Sequence, residues 1–280
     1  MPADARQTQG PGPEVLEAFG AHRVARRLAG GRGTAWRTDD VILKPRDMPA
    51  EALPWLADEV GPRLRPDLIR AALPLAARSG LFEVNGWTAF PALPGRHLPG
   101  RWLDIIAAGR AFSACCSELA EPAFIRARSD PWARADRAAW GEETVPGIEA
   151  IDVVRRIRSA CRPVADPPTL VHGDLTGNVL FHPSLPPAVI DLSLYWRPAA
   201  FASAVVVVDA VTFERAPDAL ARTAASSAAA SEGFAQCLLR AILFRLTTDY
   251  LTAGGSAPPA AASRYGRVID QAFALLGEHG

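Results

Sequence analysis

The chain has 280 residues, of which 49% are hydrophobic, so it is long and apolar enough to bury a core. Thirty basic residues balance thirty acidic ones, which favours neither a nucleic-acid partner nor an anionic membrane. The longest apolar run, residues 201–208, is too short to span a bilayer. Because the four cysteines form no Cys-x-x-Cys pair and residues 1–13 lack the apolar segment of a signal peptide, we expect a cytoplasmic protein.

The first third of the chain predicts a small antiparallel sheet. Strands are expected where short apolar runs are bounded by turn residues, at residues 24–28, 35–38, 41–44, 73–77, 81–84 and 87–90. Asn85-Gly86, between the last two, is a strong hairpin signal. A helix is predicted over residues 49–60, although Pro54 interrupts it.

Two features of this region suit phosphate binding. The first hairpin has a glycine-rich tip, made of Gly30, Gly31, Gly33 and Thr34. Glycines let backbone N–H groups approach phosphate oxygens, but such a tip alone is equally typical of an ordinary flexible hairpin. Lys44 follows in the third predicted strand and is the only lysine, the other twenty-nine of thirty basic residues being arginine. A compact ammonium fits between phosphates and an acid where a guanidinium fork does not.

A second group of polar residues lies between short apolar runs further along. His172, Asp174 and Asn178 occupy the loop between predicted strands at 169–171 and 179–181, and a third run ends at Asp191. A carboxylate can orient a hydroxyl and accept its proton, and an amide with a second carboxylate can hold Mg²⁺. Each residue taken alone is more often an ordinary turn or strand-end residue. Their combination and order favour phosphoryl transfer from ATP.

These motifs resemble those of the aminoglycoside phosphotransferase and choline kinase group of the protein-kinase-like superfamily, and most closely a small, functionally undefined branch of it. The resemblance covers residues 20–250. Its specific part is Gly-Gly-Arg-Gly-Thr-Ala-Trp-Arg, Val-Ile-Leu-Lys-Pro, His-Gly-Asp-Leu-Thr-Gly-Asn-Val-Leu-Phe and Tyr-Trp-Arg-Pro. It implies an α+β, two-lobed protein-kinase-like fold with a small antiparallel-sheet N-lobe, a mostly helical C-lobe, and ATP in the cleft between them.

The resemblance also implies a nucleotide site. The glycine tip would cover the phosphates, and Lys44 would contact them while pairing with a helix glutamate. Glu51 is favoured because it precedes an apolar run, whereas Glu59 has a separation from Lys44 closer to that of the wider group. The proline-rich hinge, at Pro91, Ala92 and Leu93, would meet the adenine edge.

The remaining implied roles concern transfer itself. Asp174 would orient the acceptor hydroxyl and take its proton, Asn178 and Asp191 would hold Mg²⁺, and His172 would support the loop. One departure matters, because three residues separate Asp174 from Asn178 where the superfamily usually has four. Either the loop is tightened and Asn178 still reaches the metal, or Asn178 is displaced. The shorter loop motivates a rival hypothesis, that the protein is a nucleotide-binding pseudokinase without transfer activity.

The rest of the chain predicts helices. They are expected over residues 103–119, from the Asp130-Pro131 cap, over 148–161, over 199–213 with Asp209 as a paired core acid, over 234–251 and over 265–276. The second of these helices places Trp132, Asp136 and Trp140 on one face. Tryptophans in such a position are usually core, but one acid between two aromatic surfaces also suits a sugar or amino alcohol with at most one amine.

The domain boundary is predicted at the hinge. We expect a disordered segment over residues 1–13, an N-lobe over 14–93 and a C-lobe over 94–280. We further expect a monomer or homodimer whose partner is a small hydroxyl-bearing acceptor, with neither nucleic acid nor membrane involved.

Overall fold

The protein is described by a computed structural model that covers residues 10–21, 23–29, 33–38, 40–226, 231–255 and 263–277. The chain divides into two compact units, one formed by Met1–Arg96 with Leu180–Asp191 and the other by His97–Val179 with Leu192–Gly280. We call them unit 1 and unit 2. Of the segment predicted to be disordered, residues 1–9 lie outside the described residues, and the first helix begins at Pro13.

The strands and helices have the following bounds. The strands are β1 (Arg26–Arg27), β2 (Trp36–Arg37), β3 (Val41–Pro45), β4 (Arg70–Ala71), β5 (Trp87–Pro91), β6 (Pro168–His172), β7 (Val179–His182), β8 (Leu185–Val189) and β9 (Leu194–Pro198). The helices are α1 (Pro13–Ala18), α2 (Ala52–Trp55), α3 (Trp102–Cys115), α4 (Ala123–Ala127), α5 (Pro131–Ala139), α6 (Pro146–Glu149), α7 (Asp152–Ala160), α8 (Ala199–Phe213), α9 (Ala219–Ser226), α10 (Ser231–Thr252) and α11 (Gly266–Gly277). Sheet and helix are thus largely segregated along the chain, as in the predicted α+β class.

Unit 1 is built on an antiparallel sheet in the order β1-β2-β3-β5. Strand β3 alternates its side chains between two small cores, as the period of a strand requires. Val41 and Leu43 pack into one core with Ala89, while Ile42 packs against the other, which contains Phe90. The sheet is therefore buried on both faces at its centre, which fixes the register of β3.

Two predicted strands of this region are wrong. Residues 73–77 and 81–84 contain only the isolated bridging residues Leu75 and Val84, which pair with Ala89 and Trp87. Pro74 lacks the N–H that a continuous ladder needs, which explains the interruption of the first. The Asn85-Gly86 turn is confirmed, since both residues have positive φ, as its turn type requires.

The predicted helix over residues 49–60 forms in three different geometries. Four residues of α2 are followed by a π-helical turn at Leu56–Val60 and a 3₁₀ turn at Gly61–Arg63. Pro54 is tolerated because it lies in the first turn, where backbone N–H groups have no intrahelical partner. The buried side chains Leu53, Leu56 and Val60 hold one face of this segment against unit 1.

A second sheet of unit 1, in the order β4-β8-β7, joins residues that are distant in sequence. Strands β4 and β8 are parallel, with Ala71 opposite Val189, and Ala72 N donates to Val189 O over 2.9 Å. This pairing fixes the end of β8, from which the chain continues through Ile190 to Asp191. The short strand expected over the apolar run 188–190 is confirmed in part, because β8 begins earlier, at Leu185, and ends at Val189.

Unit 2 consists of helices with one two-stranded sheet. Strands β6 and β9 are antiparallel, and His172 lies opposite Leu194. The predicted helix over 148–161 is divided into α6 and α7, and the predicted helices at 199–213 and 234–251 are confirmed as α8 and α10. Helix α8 has hardly any amphipathic stripe because it is buried almost all round. Across the part of the chain that is described, none of the helices combines the length and apolar character needed to cross a bilayer.

Helix α5 begins as its sequence predicts. One carboxylate oxygen of Asp130 accepts from the backbone N–H groups of Trp132 and Ala133, at 3.1 and 3.0 Å. Pro131 occupies the first helical position, where its missing N–H costs nothing.

Removal of this cap should weaken unit 2 measurably. We expect Asp130→Ala to lower the free energy of unfolding by about 1 kcal/mol, because two N–H groups lose their acceptor. Asp130→Asn, which keeps an acceptor oxygen, should retain most of the stability. Urea titration followed by circular dichroism measures both variants, and equal losses would contradict the cap assignment.

Candidate active site

Lys44 is held by two carboxylates within unit 1. Its Nζ donates to Asp191 Oδ1 at 2.6 Å and to Asp47 Oδ2 at 2.9 Å, and lies 4.9 Å from the centre of the Phe90 ring. The lysine side chain is only 11% exposed. Burial alone would lower the pKa of Lys44, but the two carboxylates together raise it above its ordinary value, so the ammonium stays charged.

Asp191 adopts a backbone conformation that side chains rarely take. Its φ is +51°, in the left-handed region that asparagine and aspartate tolerate better than most residues. The carboxylate is more than half exposed, although it also binds Lys44. A conformation of this kind, beside a buried lysine, is typical of a functional position rather than of a core strand end.

The structure does not bring the predicted glutamates to Lys44. Glu51 is exposed at the position just before α2, and its side chain supplies neither of the two bonds to the lysine. Glu59 pairs instead with Arg63, one helical turn away. The partner of Lys44 that sequence reasoning missed is Asp47, three residues further along the chain.

The other predicted nucleotide-binding residues are placed in part. Gly30 and Gly31 lie outside the described residues. Gly33 has φ +64°, and its carbonyl accepts from Arg27 Nε at 2.6 Å, while Thr34 is half-buried beside it.

The residues predicted to form the hinge lie in unit 1. Pro91 ends β5, Ala92 N donates to Asp40 O over 2.8 Å, and Leu93 packs against the core that contains Phe90. The backbone of this segment is therefore tied to the antiparallel sheet.

In unit 2, the segment that follows β6 positions Asp174. His172 is buried, and its Nδ1 accepts from the backbone N–H of Asp174 at 3.1 Å. Asn178 Nδ2 donates to the backbone carbonyl of Asp174 at 2.7 Å, with a longer contact of 3.5 Å to Oδ2. Since the Asn178 amide nitrogen faces Asp174, its amide oxygen is directed away from that residue.

The short spacing between Asp174 and Asn178 is closed by a turn. Asn178 N donates to Leu175 O at 2.9 Å, and Gly177 has φ +82°. Leu175 is buried against Gly109 of α3, where a Cβ would lie 2.3 Å from Leu175 Cδ1. The loop thus closes in a turn in which Asn178 stays bonded to Asp174.

A buried arginine completes this group and was not predicted. Arg245 of α10 donates from Nη2 to Asp174 Oδ1 at 2.9 Å and from Nε to Asp209 Oδ1 at 2.8 Å. A further bond joins Nη2 to Asp209 Oδ2. Burial alone would lower the pKa of Arg245, but the two acids raise it, so a cation is fixed beside Asp174. Asp209 is confirmed as a paired core acid.

The helix face of Trp132, Asp136 and Trp140, predicted to suit the acceptor, differs from the prediction in the state of its acid. Asp136 is buried and accepts from Arg197 Nη2 at 2.7 Å and Nε at 3.0 Å, so it is not a free acid between two tryptophans. Arg197 also pairs with Glu142 and lies over the Trp140 ring. This pairing has no local signal in the sequence, because Arg197 lies on β9, 61 positions away.

Asp136, Glu142 and Arg197 border a cavity of about 440 Å³ in unit 2. Four arginines and three acids line it, and each of the four arginines forms an ion pair. The Tyr195 ring also lines the cavity and packs against Gly173, next to Asp174. Burial raises the pKa of Tyr195 to about 12, so its hydroxyl is protonated at neutral pH.

Comparison with known proteins identifies the fold. No protein-family model and no curated protein sequence matches the chain. A spectinomycin phosphotransferase, solved with ADP and spectinomycin, is 14% identical with a TM-score of 0.55, over 98% of this chain and 99% of that one. An aminoglycoside phosphotransferase from Alicyclobacillus acidocaldarius is 12% identical with a TM-score of 0.57, over 98% and 97%. An amicoumacin kinase, solved with AMP-PNP and Ca²⁺, is 13% identical with a TM-score of 0.56, over 89% and 87%. These likenesses confirm the predicted protein-kinase-like fold, in the form seen in aminoglycoside phosphotransferases.

The buried Arg245–Asp209 pair yields a stability prediction. We expect Arg245→Met to lower the free energy of unfolding by about 3–5 kcal/mol, because it leaves the Asp209 carboxylate buried without a counter-charge. The double variant Arg245→Met/Asp209→Leu, which removes both charges, should recover most of that loss. Denaturant unfolding of the three proteins checks this, and a double variant no more stable than the single one would refute the account.

Proposed function

We propose that this protein is an ATP-dependent phosphotransferase that moves the γ-phosphate to a hydroxyl group of a small molecule. The observation that carries the proposal is the ion pair between Lys44 and Asp191. These residues lie 147 positions apart, and the sequence assigns phosphate contact to one and metal binding to the other. A lone lysine bonded to an exposed carboxylate is what a site for a metal-bound polyphosphate requires.

Asp174 is the proposed proton acceptor. Its carboxylate is half exposed, so a hydroxyl group can reach it, and Arg245 holds one of its two oxygens. The other oxygen, Oδ2, is the one available to orient the acceptor hydroxyl and take its proton. Asp174 is held both at its backbone and at its Oδ1 atom. This suits the role, because phosphoryl transfer depends mainly on positioning.

The chemistry of the two proposed ligands suits a divalent ion of the Mg²⁺ type. Asp191 offers an exposed carboxylate, and Asn178 an amide oxygen directed away from Asp174. Within the described ranges no group of three or more His, Cys, Asp or Glu side chains could hold a metal alone. Mg²⁺ commonly uses one or two carboxylates together with substrate phosphates, and it would neutralise phosphate charge here.

The rival proposal is a nucleotide-binding pseudokinase, motivated by the short loop. Three features favour an active enzyme: Lys44, Asp174 and Asp191 are all present. The turn that closes the loop keeps Asn178 bonded to Asp174. Turnover with any acceptor separates the two proposals, because a pseudokinase would bind nucleotide without releasing ADP.

The acceptor is proposed to be a sugar, amino sugar or amino alcohol with at most one amine. The cavity of unit 2 is its candidate site, at a volume within the usual range for small-molecule pockets. Its acids are outnumbered by arginines, and Asp136 is already bonded to Arg197. A polycationic drug would have to desolvate several ammonium groups there without free carboxylates to match them.

Two substitutions should separate the roles within the proposed mechanism. Asp191→Asn should abolish Mg²⁺-dependent ATP binding, because it removes an anionic oxygen ligand. Asp174→Asn should leave ATP binding intact and lower turnover by at least about 10²-fold, because it removes the proton acceptor. Calorimetry with and without Mg²⁺, together with coupled ADP release, provides both measurements. Equal loss of ATP binding in the two variants would show that the roles are misassigned.

The acceptor class is tested by coupled ADP release with a panel of hydroxyl compounds. Glucosamine-like and choline-like compounds should support faster turnover than kanamycin-like polycations, because the cavity offers no excess of negative charge. Asp174→Asn serves as the blank for background ATP hydrolysis. Faster acceptor-dependent turnover on the polycations than on every small compound would overturn this part of the proposal.

A further inference from the structure

We propose that Asp47 is the residue that positions Lys44, in place of a glutamate on the following helix. The inference rests on the proposed function, since it concerns how the phosphate-contacting lysine is held. In this arrangement Lys44 is oriented by its own strand, β3, and by the turn that follows it. The movement or distortion of α2 would then leave the lysine in place.

The geometry of the pair supports this role. Asp47 Oδ2 accepts from Lys44 Nζ at 2.9 Å, and the acid lies two residues after the end of β3. The tether between the two residues is therefore short, and little chain entropy is lost in holding them together. The pair is partly shielded from water, with side-chain exposures of 11% for Lys44 and 42% for Asp47.

The turn that carries Asp47 is itself fixed. Arg46, next to it, donates from its backbone N–H to Gly86 O at 2.9 Å and pairs through Nε with Glu83 at 2.6 Å. Its Nη1 also donates to Met48 O at 2.9 Å. The residues on both sides of Asp47 are thus held, so its carboxylate is pre-organised toward the lysine.

The helix that follows is poorly suited to the same task. Its α-helical part is only four residues long before it widens into a π-helical turn. The buried face of this segment carries Ala52, Leu53 and Leu56, whereas Glu51 and Glu59 are exposed. Turning this segment so that either glutamate faced inward would expose these apolar side chains to water, which is unfavourable.

Asp47 would also allow Asp191 to bind a metal ion as well as Lys44. The carboxylate of Asp191 is bonded to Lys44 and is at the same time the proposed metal ligand. A second acid with no other proposed role gives Lys44 a partner that does not compete for the metal. With Asp47 bonded to it, Lys44 keeps its charge and orientation even when Asp191 also binds the metal ion.

Calorimetric titration with Mg²⁺-ATP tests the proposal through three variants of the full chain. We expect Asp47→Asn to weaken the affinity about tenfold, as expected for loss of a partly exposed charge-assisted bond. Glu51→Gln, the rival positioning residue, and Asp58→Asn, a matched control on the exposed face of the same segment, should stay within about twofold of the wild type. Asp47→Glu should restore part of the loss. A larger effect of Glu51→Gln than of Asp47→Asn would overturn the proposal.

A second measurement works without any nucleotide. Because Lys44 is the only lysine, labelling with [¹⁵N]lysine gives a single side-chain ammonium signal. At one fixed pH, Asp47→Asn should shift this signal or broaden it through faster exchange with water, and Glu51→Gln and Asp58→Asn should leave it in place. An unchanged signal in Asp47→Asn would overturn the role of Asp47. Absence of ATP binding by the wild type, with the signal shifted as expected, would instead refute the proposed function alone.

Discussion

The arrangement of unit 2 depends on one buried cation. Arg245 lies in the middle of α10 and meets Asp209 from α8, and both side chains are almost fully enclosed. Each charge alone would be expensive to remove from water, so neither residue can be buried between these helices without the other. Arg245 also bonds Asp174. The contact that aligns two core helices therefore also sets the position of the proposed proton acceptor.

The buried cation of unit 1, Lys44, has partners that are partly exposed to water. Lys44 is buried, but its partners Asp47 and Asp191 are 42% and 59% exposed. Water screens these carboxylates, so their bonds to the lysine are weaker than those of an enclosed pair. Under the proposed function, the ammonium would exchange part of this bonding for phosphate oxygens at a modest cost. The two buried cations thus differ in their surroundings: Arg245 meets the enclosed carboxylate of Asp209, whereas both carboxylates bonded to Lys44 are partly exposed to water.

The sequence predicted residues whose signal is local and missed those whose partner is distant. Lys44 could be found because it is unique, and Asp191 because it ends an apolar strand. Arg245 could not, because nothing in α10 marks it until the helix is packed against Asp209, 36 positions earlier. Asp136 was misinterpreted as free for the same reason. The nearest signal for Arg245 was the single acid of the apolar helix α8, Asp209, which needs a basic partner, but α10 offers both Arg240 and Arg245.

Asp47 was missed for the opposite reason, because an aspartate in a turn is too common to stand out. The short loop between Asp174 and Asn178 shows how packing determines a local geometry that residue spacing alone does not. Gly109 costs α3 about 1 kcal/mol of helix propensity relative to alanine, and in return leaves room for Leu175. That side chain anchors the loop one residue after Asp174, and the left-handed Gly177 then closes the turn. A loop one residue shorter is accommodated because a glycine on a neighbouring helix receives its hydrophobic anchor, which no spacing rule in the motif itself could reveal.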